Sequence, residues 1–193
     1  MVARFILNMT TSIFMLFISG AHGWNPSNFP FLPAGTDTSN IRTMVVEAQG
    51  PDKRILDFGC GQGYSTSDSK GCLGLDANLQ NIKQARKLFP EKKFKLGILC
   101  SIEPECRFDV VTSMFYFHKI PQFIRKRIIT KALEIAHQRV VIVDVCPDYK
   151  SGGEMYKQSK FLEDYYENCR NDLSGFNETT LADGMISVWV HDV

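Results

Sequence analysis

The middle of the chain alternates between short apolar runs and longer stretches with a helical repeat. Arg54 to Phe58, Cys72 to Leu75, Phe94 to Leu99, Phe108 to Met114 and Arg139 to Val145 are nearly all apolar, as strands buried on both faces are. Between them the repeat changes. Asn78 can cap a helix running through Leu88, where Ile82, Ala85, Arg86 and Phe89 keep helical spacing until Pro90 stops it. Pro121 to about His137 predicts a longer helix, with Ile124, Ile128, Leu133 and Ile135 as its apolar face and a Lys/Arg-rich outer face. An earlier helix carries Ile41, Met44, Val45 and Ala48; Asp37, Thr38 or Ser39 caps it, and the Gly50-Pro51 break ends it.

Beyond Pro147 the pattern changes. Glu154 to about Asn171 reads as a polar helix bearing Tyr156, Phe161, Tyr165 and Tyr166, and "GMISVWVHDV", Gly184 to Val193, as a long closing strand. A short strand near Phe176 to Thr180 is placed to pair with it antiparallel. The pattern predicts an α/β fold: a doubly wound, mostly parallel Rossmann-like sheet with helices on both faces and an antiparallel C-terminal strand.

Length and composition fit one such domain. At 193 residues and 44% hydrophobic content the chain can build a single well-cored unit, expected over residues 37–193. A net charge of +1, with Lys and Arg scattered, gives no basic field of the kind that tracks phosphates, so nucleic acid is not an expected partner. The six cysteines form no CxxC pair, and no metal site is expected. Cys60, Cys72, Cys100 and Cys146 fall in or beside apolar runs, where a thiol is simply a small buried hydrophobe.

The first residues read differently. Residues 1–23 have a basic Arg4, an apolar run from Phe5 to Ile18 and then small residues, which is signal-peptide grammar; a helix packed on the domain is the alternative. Residues 24–36, rich in Pro, Asn and aromatics, form a linker or lid. Cleavage before Trp24 would leave an end that resembles the junction of bipartite plastid presequences. Entry to a secretory route, onward to a plastid or another organelle, is one expectation, and a cytoplasmic protein is the other. No stable membrane span is expected after processing, because the apolar run is shorter than the ~20 residues a spanning helix needs. Asn177-Glu178-Thr179 fits a glycosylation acceptor.

The stretch "RILDFGCGQGYSTS" carries the chemistry. In a sheet of this kind ligands bind at the carboxyl ends of strands, and Gly59, Gly61 and Gly63 let a ligand approach the backbone there. Asp76, closing the second strand, is placed to accept hydrogen bonds from both hydroxyls of a ribose. A dinucleotide site wants G-x-G-x-x-G, whereas this loop reads G-x-G-x-G, with an acid, Asp57, that would repel a pyrophosphate and suits a cationic ligand.

"ILDFGCGQG" resembles the first motif of class I S-adenosylmethionine-dependent methyltransferases, and "GLDANLQNIKQAR" their second. "FDVVTSMFYFHKIP" is similar to the fourth-strand motif of the small-molecule and lipid branches, type 11 among them, and "RVVIVDVCP" to the fifth strand. The resemblance implies S-adenosylmethionine as cofactor. Gly59, Cys60, Gly61 and Gly63 would pack against it, Asp57 would lie near its amino group, Asp76 at the ribose hydroxyls, and Ala77 beside the adenine. The chain departs from the pattern where many relatives carry an Asp for the adenine amino group: "LGILCS" puts Ile98 there, with the backbone of Ile98 or Leu99 as replacement. The segment from Gly63 to Gly71 also leaves little room for a crossover helix. Methyl transfer to a small-molecule or lipid-like acceptor is the implied function, and a catalytically inactive binding or scaffold protein is the alternative. His118 is the candidate base, and Tyr64 and Tyr116 are candidates for the substrate pocket.

Overall fold

The computed structural model describes residues 38–103, 107–149 and 159–193, with side chains from residue 40 onward. Its elements run in the order α1 (Thr38–Glu47), β1 (Ile55–Phe58), β2 (Leu73–Asp76), α2 (Leu79–Leu88), β3 (Phe94–Leu96), β4 (Phe108–Met114), α3 (Gln122–Ile135), β5 (Ala136–Val145), α4 (Leu162–Asp172), β6 (Asn177–Leu181) and β7 (Ile186–Asp192). Two 3-10 turns, Leu99–Ser101 and Phe117–Lys119, follow β3 and β4.

The strands form one sheet in the order β3-β2-β1-β4-β5-β7-β6. From β3 to β5 every pair is parallel; β7 joins β5 antiparallel and β6 joins β7 antiparallel. Because successive side chains point to opposite faces, each strand feeds two cores. Leu56, Phe58, Leu75, Val111 and Ile142 pack with residues of α3 and α4 on one face. Ile55, Val110, Val141 and Val143 pack against Ile41 and Val45 of α1 on the other. On that second face the register sets Asp57, Gly74 and Phe94 side by side across β1, β2 and β3. Ile82 and Ala85 of α2 cover Phe94 there.

Local chemistry explains the ends of α2. The Asn78 side chain accepts from the Gln80 amide at 2.8 Å, and the Phe89 amide closes the helix on the Ala85 carbonyl ahead of Pro90. Among the described residues no helix spans the Gly63 to Gly71 crossover, as its length predicts. Its place is taken by side chains: Ser65 and Thr66, both buried, donate to Asp57 Oδ2 at 2.9 and 2.7 Å and pin the irregular segment to β1.

Several expectations are corrected. The third strand stops at Leu96 instead of Leu99, because it is an edge strand with exposed Lys95 and Leu96 and the chain turns at Gly97 into the 3-10 turn. That turn also exposes Cys100, which was expected to be buried, whereas Cys60, Cys72 and Cys146 are buried thiols. The outer face of α3 is not uniformly basic. Arg125 is fully buried and donates to Asp172 Oδ2 and Asp164 Oδ2, each at 2.9 Å, locking α3 onto α4. The signal-like segment 1–23, the linker 24–36, Cys106 and Tyr156 lie outside the described residues. No described helix is long and apolar enough to cross a membrane, and no described group of His, Cys, Asp and Glu could hold a metal ion.

Candidate functional site: a divided cleft at the strand ends

Two adjoining cavities open where β1, β2 and β4 end. The smaller, about 170 Å³, is an apolar slot among Phe58, Leu75, Gly97, Ile98, Leu99, Ile124 and Ile128. The larger, about 700 Å³, is an open cleft over the glycine loop, reaching Arg42, Tyr64, Asn81, Phe115 and Lys119. Gly59, Asp76, Ala77 and Tyr116 line both. The combined space suits a small organic ligand, whose sites run from ~300 to ~1,000 Å³.

The loop glycines serve different ends. Gly59 has φ +67°, and a Cβ there would stand 2.6 Å from the Tyr116 ring, which therefore packs closely on its backbone. Gly61, at φ +55°, has nothing within 4 Å of such a Cβ, so its face is open to the cleft. Gly63 is closed off: its Cβ would meet Phe94 at 2.5 Å and Ala85 at 3.2 Å, so it is glycine to let the loop pack on α2. Gly59 and Gly61 both line the cleft, and of the two Gly61 has the open face.

The two acids differ as well. Asp76 sits at the shared edge of the cavities, its Oδ2 accepting from the Gly61 amide at 2.9 Å and its Oδ1 from the Asn78 amide at 2.7 Å and the Asn81 side chain at 3.3 Å. Each carboxylate oxygen accepts more than one bond, so it can still take ligand hydroxyls. Asp57 lines neither cavity. It is buried beneath the loop, and one oxygen, Oδ1, has no hydrogen-bond partner among the described residues. Burial pushes its pKa above the usual carboxylate value, against the hydroxyls of Thr66 and Ser65 and the Arg42 charge. The structure thus sets Asp57 to holding the loop, where the resemblance had placed it near a ligand amino group.

Residues 56–135 match the family model of a methyltransferase domain. The chain has the fold of class I methyltransferases. Its architecture is similar to magnesium protoporphyrin IX methyltransferase from Synechocystis PCC 6803 crystallised with bound SAH, with a TM-score of 0.61 and 15% identity over 99% of this chain and 98% of that one. It is also similar to a TehB-like SAM-dependent methyltransferase from Corynebacterium glutamicum, with a TM-score of 0.53 and 20% identity over 77% and 85% of the two chains. At such identities the likeness shows the fold.

Within this fold, the predicted site residues divide. Gly59, Cys60, Gly61, Asp76, Ala77, Tyr64 and Tyr116 come together at the cleft, and Ile98 and Leu99 at the slot. Ile98 is exposed at the rim and Leu99 buried. Tyr64 stacks edge-on against Phe89 at the far side. The Cys60 thiol is held protonated, since burial and then the Asp57 and Asp76 charges push its pKa well up. Tyr116, half buried, has its hydroxyl pKa raised by burial and then by Asp76.

His118 lines neither cavity. Its Nδ1 lies 2.5 Å from Asp144 Oδ1, and the pair is buried behind the turn that follows β4. A base at the cleft is not where the structure puts it. Sequence reasoning missed Arg42 and Lys119, cationic side chains that line the cleft from α1 and from the turn. Burial lowers both, Arg42 to about 10, with acids such as Asp144 opposing the shift. Phe115, beside them, is buried at φ +58°, where bulky residues seldom sit. Lys119 and Phe115 stood within the quoted fourth-strand motif; their direction depends on a backbone turn that no local pattern announces.

Proposed function

We propose that the domain binds S-adenosylmethionine across the slot and cleft and transfers its methyl group to a small-molecule or lipid-like acceptor. The observation that carries this reading is the open backbone face of Gly61 beside the Asp76 carboxylate, with an apolar slot adjoining. The residues fit the cofactor. Asp76 would take the ribose hydroxyls, and Ala77, Ile98 and Leu99 would enclose the adenine. Arg42 offers a cation for the carboxylate, and the Tyr116 ring, on the floor between the cavities, offers an aromatic face to a sulfonium.

Held by Asp76, Ala77, Ile98 and Leu99, the cofactor would supply an electrophilic methyl carbon for in-line transfer to the acceptor atom. The protein's part is to align and to exclude water. Tyr64 and Tyr116 give the cleft an aromatic side, over the buried Met114 and Phe115, and Gln62, Asn78 and Asn81 give it a polar one, which together suit a small acceptor.

Calorimetric titration with S-adenosylmethionine, on the wild type and on Asp76→Ala, tests the site. Micromolar binding that weakens at least about tenfold in the variant is the expected outcome, a tenfold change being 1.4 kcal/mol. Absence of binding to folded wild-type protein would overturn the cofactor reading. Binding with no methyl transfer to any acceptor of a small-molecule and lipid panel would favour the scaffold alternative, which the exposed Ile98 and the missing crossover helix support.

A further inference from the structure

We propose that Asp144 and His118 form a positioning pair that holds the turn after β4, so that Tyr116 and Lys119 stand in the cleft; this rests on the cleft being the cofactor and acceptor site. Asp144, one residue before the end of β5, is wholly buried. Its Oδ1 lies 2.5 Å from His118 Nδ1, and its Oδ2 accepts from the His118 amide at 3.1 Å. One carboxylate therefore grips both ring and backbone of the same residue, fixing the middle of the Phe117–Lys119 turn. The acid is itself held, since Oδ1 also accepts from the Val145 amide at 2.8 Å.

The histidine is braced from the opposite side. Its carbonyl accepts from the Ser159 hydroxyl, and its ring meets the Tyr165 ring edge-on at 6.4 Å. Tyr165 is anchored in turn, donating to the Val145 carbonyl at 2.6 Å. Ser159 and α4 thus close a buried polar circuit with the end of β5 around a segment whose neighbours on either side line the cleft.

The turn needs such a brace. Phe115 enters it at φ +58°, and its amide donates to the Val143 carbonyl at 2.7 Å. An aromatic residue persists there only where its surroundings over-determine the backbone. A buried hydrogen-bonded pair adds little stability over well-packed apolar groups, but it is directional. Here the direction is given to His118, which precedes Lys119 and stands two positions after Tyr116, and this ties the geometry of the pair to the shape of the cleft.

The experiment compares wild type with His118→Leu, which removes the Nδ1 donor, and His118→Asn, whose amide can reach the same carboxylate. Each is titrated with S-adenosylhomocysteine, which spans slot and cleft, and with adenosine, which fits the slot and the Asp76 edge. Amide hydrogen exchange is followed at residues 115–119 and 59–63 without ligand. In His118→Leu we expect S-adenosylhomocysteine to weaken at least tenfold, adenosine, which would meet Tyr116 but not Lys119, to weaken several-fold less than that, and exchange to quicken only at the turn, with His118→Asn restoring most of the loss. Equal weakening of both ligands, or faster exchange at both segments, would reduce the pair to general stabilisation. Unchanged exchange at the turn would overturn the proposal whether or not any ligand binds, so failure of the cofactor reading is told apart. If His118→Leu does not fold, Asp144→Asn takes its place with the same expectations, and failure of both to fold also overturns a specific positioning role.

Discussion

The two walls of the cleft are built by opposite means. The glycine-loop wall, from β1 to the start of α2, is held by neighbours in sequence: Asp57 takes hydroxyls from Ser65 and Thr66, and Asp76 takes amides from Gly61 and Asn78. The facing wall, the turn after β4, is held from afar. His118 meets Asp144 across 26 positions of sequence, and α3 is fixed to α4 by Arg125 and Asp172, 47 positions apart. A wall made of local contacts carries its own shape; one made of distant contacts has the shape its supports impose. The glycine-loop end of the cleft is therefore the preset part, and the far end depends on how the rest of the domain is packed.

The largest expected effect lies in the distant supports. Arg125→Ala leaves Asp172, whose side chain is fully buried, without its main partner, and breaking such a pair costs about 3–5 kcal/mol. Chemical denaturation should show that loss, while the double variant Arg125→Met with Asp172→Leu, which removes both charges, should recover most of it. A loss below about 1 kcal/mol in the single variant would mean that Lys126, 3.9 Å from Asp172, already suffices, and that the second wall is less dependent than drawn.

Within the first wall, the glycines sharpen the contrast between packing and ligand access. Gly63→Ala must move the Phe94 ring 2.5 Å from its Cβ at φ +89°, and overpacking of this kind costs about 1–3 kcal/mol of folding stability. Gly61→Ala meets nothing within 4 Å and carries only the left-handed backbone strain, about 1–2 kcal/mol. The expected outcome is a lower melting temperature for Gly63→Ala and, for Gly61→Ala, weaker S-adenosylmethionine binding out of proportion to its stability change. Equal effects of the two on binding would remove the distinction between them.

What could be read in advance follows the same division. The strand runs, the α2 cap at Asn78 and the paired Gly61 and Asp76 were legible because period, capping and glycine spacing are local signals. The α3 pattern predicts a Lys/Arg-rich outer face and does not single out Arg125, since nothing within α3 says that Asp164 and Asp172 will cover it. His118 was read as a candidate base, because its burial depends on Asp144 and Tyr165, which belong to elements that follow it. Asp57 was assigned to a ligand because the short crossover that turns Ser65 and Thr66 onto it could be counted but not folded.

The buried acids of the two walls should titrate in opposite senses. Burial raises Asp57, so its folded form holds a proton at a pH where the unfolded chain has lost it; its contribution is largest below the ordinary value of 3.8 and is lost as pH rises through the folded value. For Asp144 burial pushes upward too, but the His118 ring and the hydrogen bonds outweigh it and the pKa is lowered. Its contribution is present above the ordinary value and is lost as pH falls through the folded one. Melting temperature against pH should rise at neutral pH in Asp57→Asn, whose amide oxygen can still take both hydroxyls. It should fall in Asp144→Asn, with that second difference shrinking in acid. The same sign for both variants at neutral pH would break the comparison.

The smallest effect concerns the slot, where Ile98 stands exposed at the rim as the N-cap of the Leu99–Ser101 turn with no side-chain cap of its own. Ile98→Asp places a carboxylate where an adenine amino group could donate to it, and it also supplies the missing cap. The two consequences separate by measurement. A cap alone raises the melting temperature of the ligand-free protein by an amount corresponding to about 0.5–1 kcal/mol and leaves affinity unchanged. An adenine contact strengthens S-adenosylmethionine binding several-fold, up to about tenfold, since a hydrogen bond to a charged group contributes about 1.5 kcal/mol or more before desolvation of the new carboxylate is counted. A gain in affinity would place the adenine in the slot and extend the preset wall to β3. A gain in stability without affinity would leave that wall ending at Ala77, with the slot serving as core packing between the sheet and α3.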